Sequence, residues 1–233
     1  MALYVIGDTH FSETAGKPMD VFGGAWHDYR AKLLRGLAET MRSEEDMLII
    51  CGDLSWGMTL NEALEDFRLL TSFPGKKVLL KGNHDYWWET VSKMQKFFAQ
   101  NDITDLQFLH NNCIFYKDIA LCGTRGWFAE SKSAAENERI YKREVLRLEA
   151  SLSAARAARA DAELVAFLHY PPFLPDGEAS CFCELLERYG VSRCFYGHLH
   201  GEGIRGAVSG MRRGVTYRLI SADALSFTPL CIG

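Results

Sequence analysis

Five short polar segments constrain this chain more than any other feature, because each one closes a strand-like apolar run. They are Gly7-Asp8-Thr9-His10, Gly52-Asp53, Gly82-Asn83-His84-Asp85, His169 and Gly197-His198-Leu199-His200, and they hold five of the seven histidines. Carboxylates are costly to place beside a core, and Asp, Asn and His are hard-to-borderline metal ligands. A fold that accommodates all five must bring the ends of distant strands to one place. A polar loop after a strand explains one such segment, but not five with complementary ligand chemistry.

The apolar runs themselves are short. Leu3–Ile6, Met47–Ile50, Val78–Leu80, Leu164–Leu168 and Cys194–Tyr196 read as buried strands. Cys113–Tyr116, Ile119–Cys122, Val215–Ile220 and Pro229–Ile232 read as hairpin or meander strands, with a turn between Gly210 and Gly214. Tyr29, Leu33, Leu34, Leu37 and Met41 share one helical face. The capping-box pattern Thr59-Leu60-Asn61-Glu62 predicts a helix carrying Leu64, Phe67 and Leu70. Tyr86, Val91, Met94 and Phe98 predict another, directly after Asp85. Ser133-Ala134-Ala135-Glu136 opens a long one, whose stripe of Ile140, Val145, Leu148, Leu152 and Ala155 is expected to pack on the chain's own sheet. The early β-α-β alternation calls for parallel strands, and ligands collect beyond the carboxyl ends of such strands. With no repeat or low-complexity linker, residues 1–233 are expected to form a single α/β domain.

Composition narrows the partners. A net charge of -4 supplies no global basic field, so nucleic acid is not expected as a partner, although bound cations would reverse the sign locally. No apolar run approaches the roughly 18 residues of a membrane span. The opening residues lack a signal-like segment, and the seven cysteines have no disulfide-framework spacing. A cytoplasmic location is therefore expected. Cys181-Phe182-Cys183 with Cys194 lacks the spacing of a zinc knuckle and reads as free thiols. Nothing in the sequence sets an oligomeric state.

Aspartate offers a hard oxygen that can bridge two cations, and neutral imidazole offers nitrogen without added charge. Asp8 and His10, two apart on what reads as an extended segment, are expected to point to one side, and His198 and His200 share that spacing. In order and in full, the segments resemble the motifs of the calcineurin-like metallophosphoesterase superfamily: D-x-H, G-D, G-N-H-D/E, H and G-H-x-H. The resemblance spans residues 7–201. It implies a four-layer α/β/β/α sandwich with two central mixed sheets. It further implies two transition-metal ions (Mn, Fe or Zn), one held by Asp8, His10, Asp53 and His200. The second would be held by Asn83, His169 and His198, with Asp53 shared. His84 would then be the non-ligand histidine that protonates the leaving oxygen, and hydroxide between the ions would attack phosphorus in line.

Asp85 either orients His84 or caps the following helix. Arg125, in Gly123-Thr124-Arg125-Gly126-Trp127, either contacts a substrate phosphate or is solvated. The segment 11–26 either covers the pocket or is a plain surface loop. Trp56, Trp87, Trp88 and Trp127 either form an aromatic wall or pack in the core. Protein serine/threonine phosphatases of this superfamily carry an Arg soon after the second-motif Asp and G-N-H-E in the third motif. This chain has Asp53-Leu54-Ser55-Trp56 and Asp85 instead, which favours a small phosphomonoester or phosphodiester as substrate. A non-catalytic scaffold of the same fold would be expected to have lost ligands, and here all are retained.

Overall fold

Alternation along the strands explains the layering. The computed structural model describes residues 1–128 and 131–233. The first sheet holds β1 (Leu3–Ile6), β2 (Met47–Cys51), β3 (Lys76–Leu80) and β4 (Leu106–Phe108), all parallel, with β11 (Leu230–Cys231) antiparallel on the free side of β1. The second holds β5 (Cys113–Tyr116), β6 (Ile119–Thr124), β7 (Glu163–Leu168), β8 (Arg193–Tyr196), β9 (Gly210–Arg212) and β10 (Val215–Leu219). Its order is β5-β6-β7-β8-β10-β9, and β6, β7, β8 and β10 run parallel. Leu3, Val5, Ile49, Val78 and Leu80 face Leu121, Val165, Phe167 and Phe195 in a core between the sheets. Their neighbours Ile6, Leu48, Ile50 and Leu79 turn outward under the helices of the first sheet. Burial on both faces is why these strands read as unbroken apolar runs.

Helices α1 (Tyr29–Thr40), α2 (Leu64–Thr71) and α3 (Val91–Gln100) cover the first sheet; α4 (Ala134–Ala158) and α5 (Cys181–Arg188) cover the second. The result is the four-layer sandwich with two central mixed sheets. Ser133 caps α4 by accepting a hydrogen bond from the Glu136 amide at 3.2 Å. The stripe of that helix packs on the chain's own sheet through Leu148, Leu152 and Ala155.

Three local expectations need correction. The segment after Asp85 is not helical: α3 begins at Val91, capped by Thr90, and Tyr86 is exposed. Thr59 does accept the Glu62 amide, but the Glu62 carboxylate turns to the Met58 amide, and the helix starts at Leu64. At the C-terminus the strand shortens to Leu230–Cys231. The strands β4 and β9, of three residues each, and the eight-residue helix α5 are too short to stand out from the sequence alone. Between β9 and β10, Arg213 and Gly214 both have positive φ, the two-residue turn whose twist suits a hairpin.

One contact ties α1 to the far end of the chain. A Cβ on Gly36 would lie 2.3 Å from the Phe227 carbonyl oxygen, so the helix can approach the 227–228 backbone only without a side chain. Gly36→Ala is expected to destabilise the protein by about 1–3 kcal/mol through overpacking, read as a lowered denaturation midpoint in urea. A midpoint at or above wild type would show that the contact relaxes freely.

Candidate metal centre

Every ligand expected from the motifs lies at the carboxyl end of a parallel strand. Asp8 and His10 follow β1, Asp53 follows β2, Asn83 follows β3, His169 follows β7, and His198 and His200 follow β8. The two sheets are stitched together here, because the Gly7 amide donates to the Ile220 carbonyl at 2.8 Å just beyond β10. His169 Nδ1 lies 3.0 Å from the Cys51 carbonyl oxygen, so a ligand of the second sheet is set by backbone of the first.

The backbone bends sharply to aim these groups. Asp8 (φ 59°), His10 (φ 48°), Asp53 (φ 51°) and His198 (φ 72°) all occupy the left-handed region. Non-glycine residues adopt it at a cost, and such strain clusters at functional sites. Asp8 and His10 therefore do not converge along an extended segment, as their spacing suggests; two left-handed residues flanking Thr9 bring them together. Glycines permit the remaining approaches. A Cβ on Gly82 would lie 2.1 Å from Asp53 Oδ1, and one on Gly197 would lie 2.4 Å from Asp8 Oδ2.

The ligand atoms gather in two overlapping groups. Asp8 Oδ1 is 3.2 Å from His200 Nε2, and Asp8, His10 and His200 offer donor atoms all within 4.8 Å of one another. Asn83 Oδ1 lies 2.6 Å from His169 Nε2 and 3.0 Å from His198 Nδ1. Asp53 Oδ2 is 3.5 Å from His169 Nε2 and 3.8 Å from His10 Nε2, between the groups. Asp8, Asp53 and His169 form a further close trio. The side chains of the seven expected ligands thus face one another across a small volume.

The donor set fits cations. Among the described residues, His10 Nδ1 is buried without a hydrogen-bond partner, a state that a bound metal relieves. Burial, and then the neighbouring imidazoles, hold His10 well below the usual histidine range despite the pull of Asp8. Burial likewise lowers His169 against the pull of Asp8, and lowers His198, to about 4, with His169 adding to the effect. These shifts favour the neutral form of the rings, the form that ligates a metal. Burial, then Asp85 and Asp8, raise the Asp53 carboxyl well above the carboxylate range, the mark of an anion that lacks cationic neighbours. Burial opposes the charge on Asp8, yet His200, His169 and His10 outweigh it and hold its carboxyl low. For His200, burial is overcome by Asp8 and Asp223, which raise it to about 10.

Two supporting carboxylates complete the centre. Asp85 Oδ2 accepts from the Asp53 amide at 2.9 Å and the Gly82 amide at 2.7 Å. Asp85 Oδ1 accepts from the Leu54 amide at 2.9 Å and the Trp87 indole at 3.0 Å. Asp85 does not cap the following helix, which Thr90 caps; its oxygens hold the turn that presents Asp53. Asp223, absent from the sequence expectations, lies 2.9 Å from His200 Nδ1 and accepts from the Gly201 amide at 2.9 Å. It follows β10 as the other ligands follow their strands, and that register is the only signal that could have revealed it.

Two clefts open onto the centre and share His84. One, of 440 Å³, is lined by His10, Met19, Phe22, Trp26, Trp56 and His200, among others. The segment 11–26 thus does cover the pocket. Trp56 stacks on the His10 ring with centroids 4.9 Å apart, whereas Trp87 and Trp88 belong to the core. The other cleft, of 740 Å³, has Asn83, His84 and Arg125 in its wall, with Trp127. Arg125 packs over Trp127 at 4.8 Å and reaches Glu144 at 3.5 Å, so it is a held cation and not a solvated one. His27 is exposed, and His110 packs against Trp88; neither joins the centre. Among the described residues the cysteines are free and none joins a candidate metal group.

Residues 1–202 match the calcineurin-like phosphoesterase family. The chain belongs to that family. It is accordingly a metallophosphoesterase, an enzyme that hydrolyses phosphoesters. Among solved structures, the phosphopantetheinyl hydrolase of Mycobacterium tuberculosis is 17% identical with a TM-score of 0.57, over 99% of this chain and 95% of that one. A protein of unknown function from Aquifex aeolicus, AQ665, is 16% identical with a TM-score of 0.47, over 99% of this chain and 95% of its own. At these identities the likeness to the hydrolase is one of fold. No curated protein matches the chain. Among the described residues, no helix of this phosphoesterase is long and apolar enough to cross a membrane.

Because Asp223 holds the far nitrogen of His200, Asp223→Asn is expected to weaken metal retention about 10–100-fold. Metal content after graded dialysis checks this, with excess metal restoring turnover. Unchanged retention would remove Asp223 from the centre.

Proposed function

We propose that the chain is a dinuclear phosphoesterase that hydrolyses a small phosphomonoester or phosphodiester. Asp8, His10, Asp53 and His200 would hold one cation, and Asn83, His169 and His198 the other, with Asp53 shared. The observation that carries this reading is the convergence of the two ligand groups on Asp53, beside a histidine that both clefts reach. Mixed nitrogen and oxygen donors suit Mn, Fe or Zn. Bound there, such a pair supplies the acidity that makes water a nucleophile near neutral pH and the charge that offsets phosphoryl oxygens.

The chain's own residues do the rest. Backbone at Asp53 and at Gly82, the residue before Asn83, is held by Asp85, so the ligands do not need to reorganise when substrate arrives. The His84 amide donates to Asp53 Oδ1 at 2.8 Å, which fixes the histidine beside the shared carboxylate. From that position the His84 ring gives a proton to the departing oxygen. Arg125 approaches a phosphoryl oxygen from the wall of the larger cleft with its guanidinium fork. The Trp26 and Trp56 side takes the organic part of the ester. Seven cysteines with no disulfide support a reducing, cytoplasmic setting.

His84→Ala is expected to lower kcat by about 10²–10⁴ for an alkyl phosphate while leaving metal content intact. The loss should be much smaller for p-nitrophenyl phosphate, whose leaving group needs no proton. Equal losses on the two esters would remove the proton-donor role. Stripping the protein with a chelator should abolish turnover of both p-nitrophenyl and bis-p-nitrophenyl phosphate, and Mn, Fe or Zn should restore it. Turnover that survives stripping would end the metal reading.

A further inference from the structure

The larger cleft carries more positive charge than one phosphoryl group calls for. Beyond Asn83 and His84 its wall contains Lys81, Arg125, Lys132, Arg139 and Arg143. In a chain of net charge -4, this is a local reversal of sign. Part of the charge is balanced: Lys132 lies 3.8 Å from Glu136. Glu144, fully buried below the cleft, meets Arg125 at 3.5 Å, Arg143 at 3.7 Å and Arg147 at 2.7 Å through one oxygen. One carboxylate thus anchors three guanidiniums and cannot neutralise them. Neither Lys81 nor Arg139 has an ion-pair partner among the described residues, and Arg125 Nε is buried without a hydrogen-bond partner. Among the described residues, five cations in the wall face the carboxylates of Asp85, Glu136 and Glu144, which leaves an excess suited to a dianion.

The arrangement is a built one. Arg139 and Arg143 are four apart on α4 and so share a face, and Lys81 and Arg125 follow β3 and β6. Glu144 is locked from below by the Thr124 hydroxyl at 2.7 Å, and Trp127 braces Arg125. Guanidiniums present paired donors that match phosphate oxygens, and a cleft lined by one sign concentrates its counter-ion.

We propose that this cleft is a second anion subsite, which binds a distal phosphate of the substrate while the scissile phosphoryl lies at Asn83 and His84. The preferred substrate class is then a small molecule bearing two phosphates, of which one is hydrolysed. This rests on the phosphoesterase reading above and adds to it the chemical class of the substrate.

The test compares matched pairs with and without the distal charge: propyl phosphate against 1,3-propanediol bisphosphate, and hexyl phosphate against 1,6-hexanediol bisphosphate. Phosphate release is followed on the metal-loaded protein, with p-nitrophenyl phosphate as a third substrate. At least one bisphosphate should exceed its monophosphate in kcat/KM by about tenfold or more, the scale of one charge-assisted contact. In Arg139→Gln, and further in the Arg139→Gln/Arg143→Gln pair, that ratio should fall towards one through KM, and Arg139→Lys should restore part of it. Both positions lie on the exposed side of α4, and far-ultraviolet circular dichroism with a urea midpoint checks that the variants fold. Turnover of p-nitrophenyl phosphate with no preference within either pair overturns the subsite and leaves the hydrolase standing. A preference that survives both substitutions also overturns it. Absence of turnover on every ester overturns the subsite together with the reading beneath it.

Discussion

A single buried carboxylate, that of Asp85, joins the turn after β2 to the turn after β3. Its two oxygens take the amides of Asp53, Leu54 and Gly82 and the Trp87 indole. Without it, the donors of two tight turns would be buried and unpaired, at about 1–3 kcal/mol each. Burial raises the Asp85 carboxyl above the usual carboxylate range, and those same donors work against that rise, since hydrogen bonds to a carboxylate favour its charged form. Asp53 and Asn83, the proposed ligands, and the neighbouring His84 all take their backbone positions from this junction. The rest of the centre is arranged around a pair of turns that cannot move independently.

Across the sheet-to-sheet boundary the logic is similar but weaker. His169 is oriented by the Cys51 carbonyl and His200 by Asp223, each using the ring nitrogen away from the ligand cluster. Such outer partners set which nitrogen is free and which way the ring faces. Among the described residues His10 Nδ1 has no comparable polar partner; its ring is held by stacking on Trp56 and edge contact with Trp26. One ligand therefore depends on the segment 11–26 and its surroundings, the same segment that lines the apolar cleft. The candidate metal centre and the apolar cleft are mechanically linked through that ring.

The division between what could be read and what could not follows chemistry. The parallel strands were legible because burial on both faces leaves unbroken apolar runs, and α4 because Ser133 and its stripe mark its start and its face. The turn segment 86–90 was misread because Tyr86, Val91, Met94 and Phe98 keep helical spacing, while Trp87 and Trp88 are core residues that no helix presents. The motif position of Asp85 says that a carboxylate is needed, not that five donors from two turns converge on it. Asp223 lacked even that, standing alone in an unremarkable stretch after β10.

What the sequence determined by itself was the inventory: seven ligand-type side chains, each placed just past a strand that must be buried. Those strands had to lie parallel and the ligands at their ends, since hydrophobic burial and short connections leave few other arrangements. Only the tertiary structure decided how the inventory closes. Left-handed turns at Asp8, His10, Asp53 and His198, the Asp85 junction and the meeting of two sheets are relations between residues up to 190 positions apart. No local pattern encodes them, because distance in space, not in sequence, sets which charges and donors share a site.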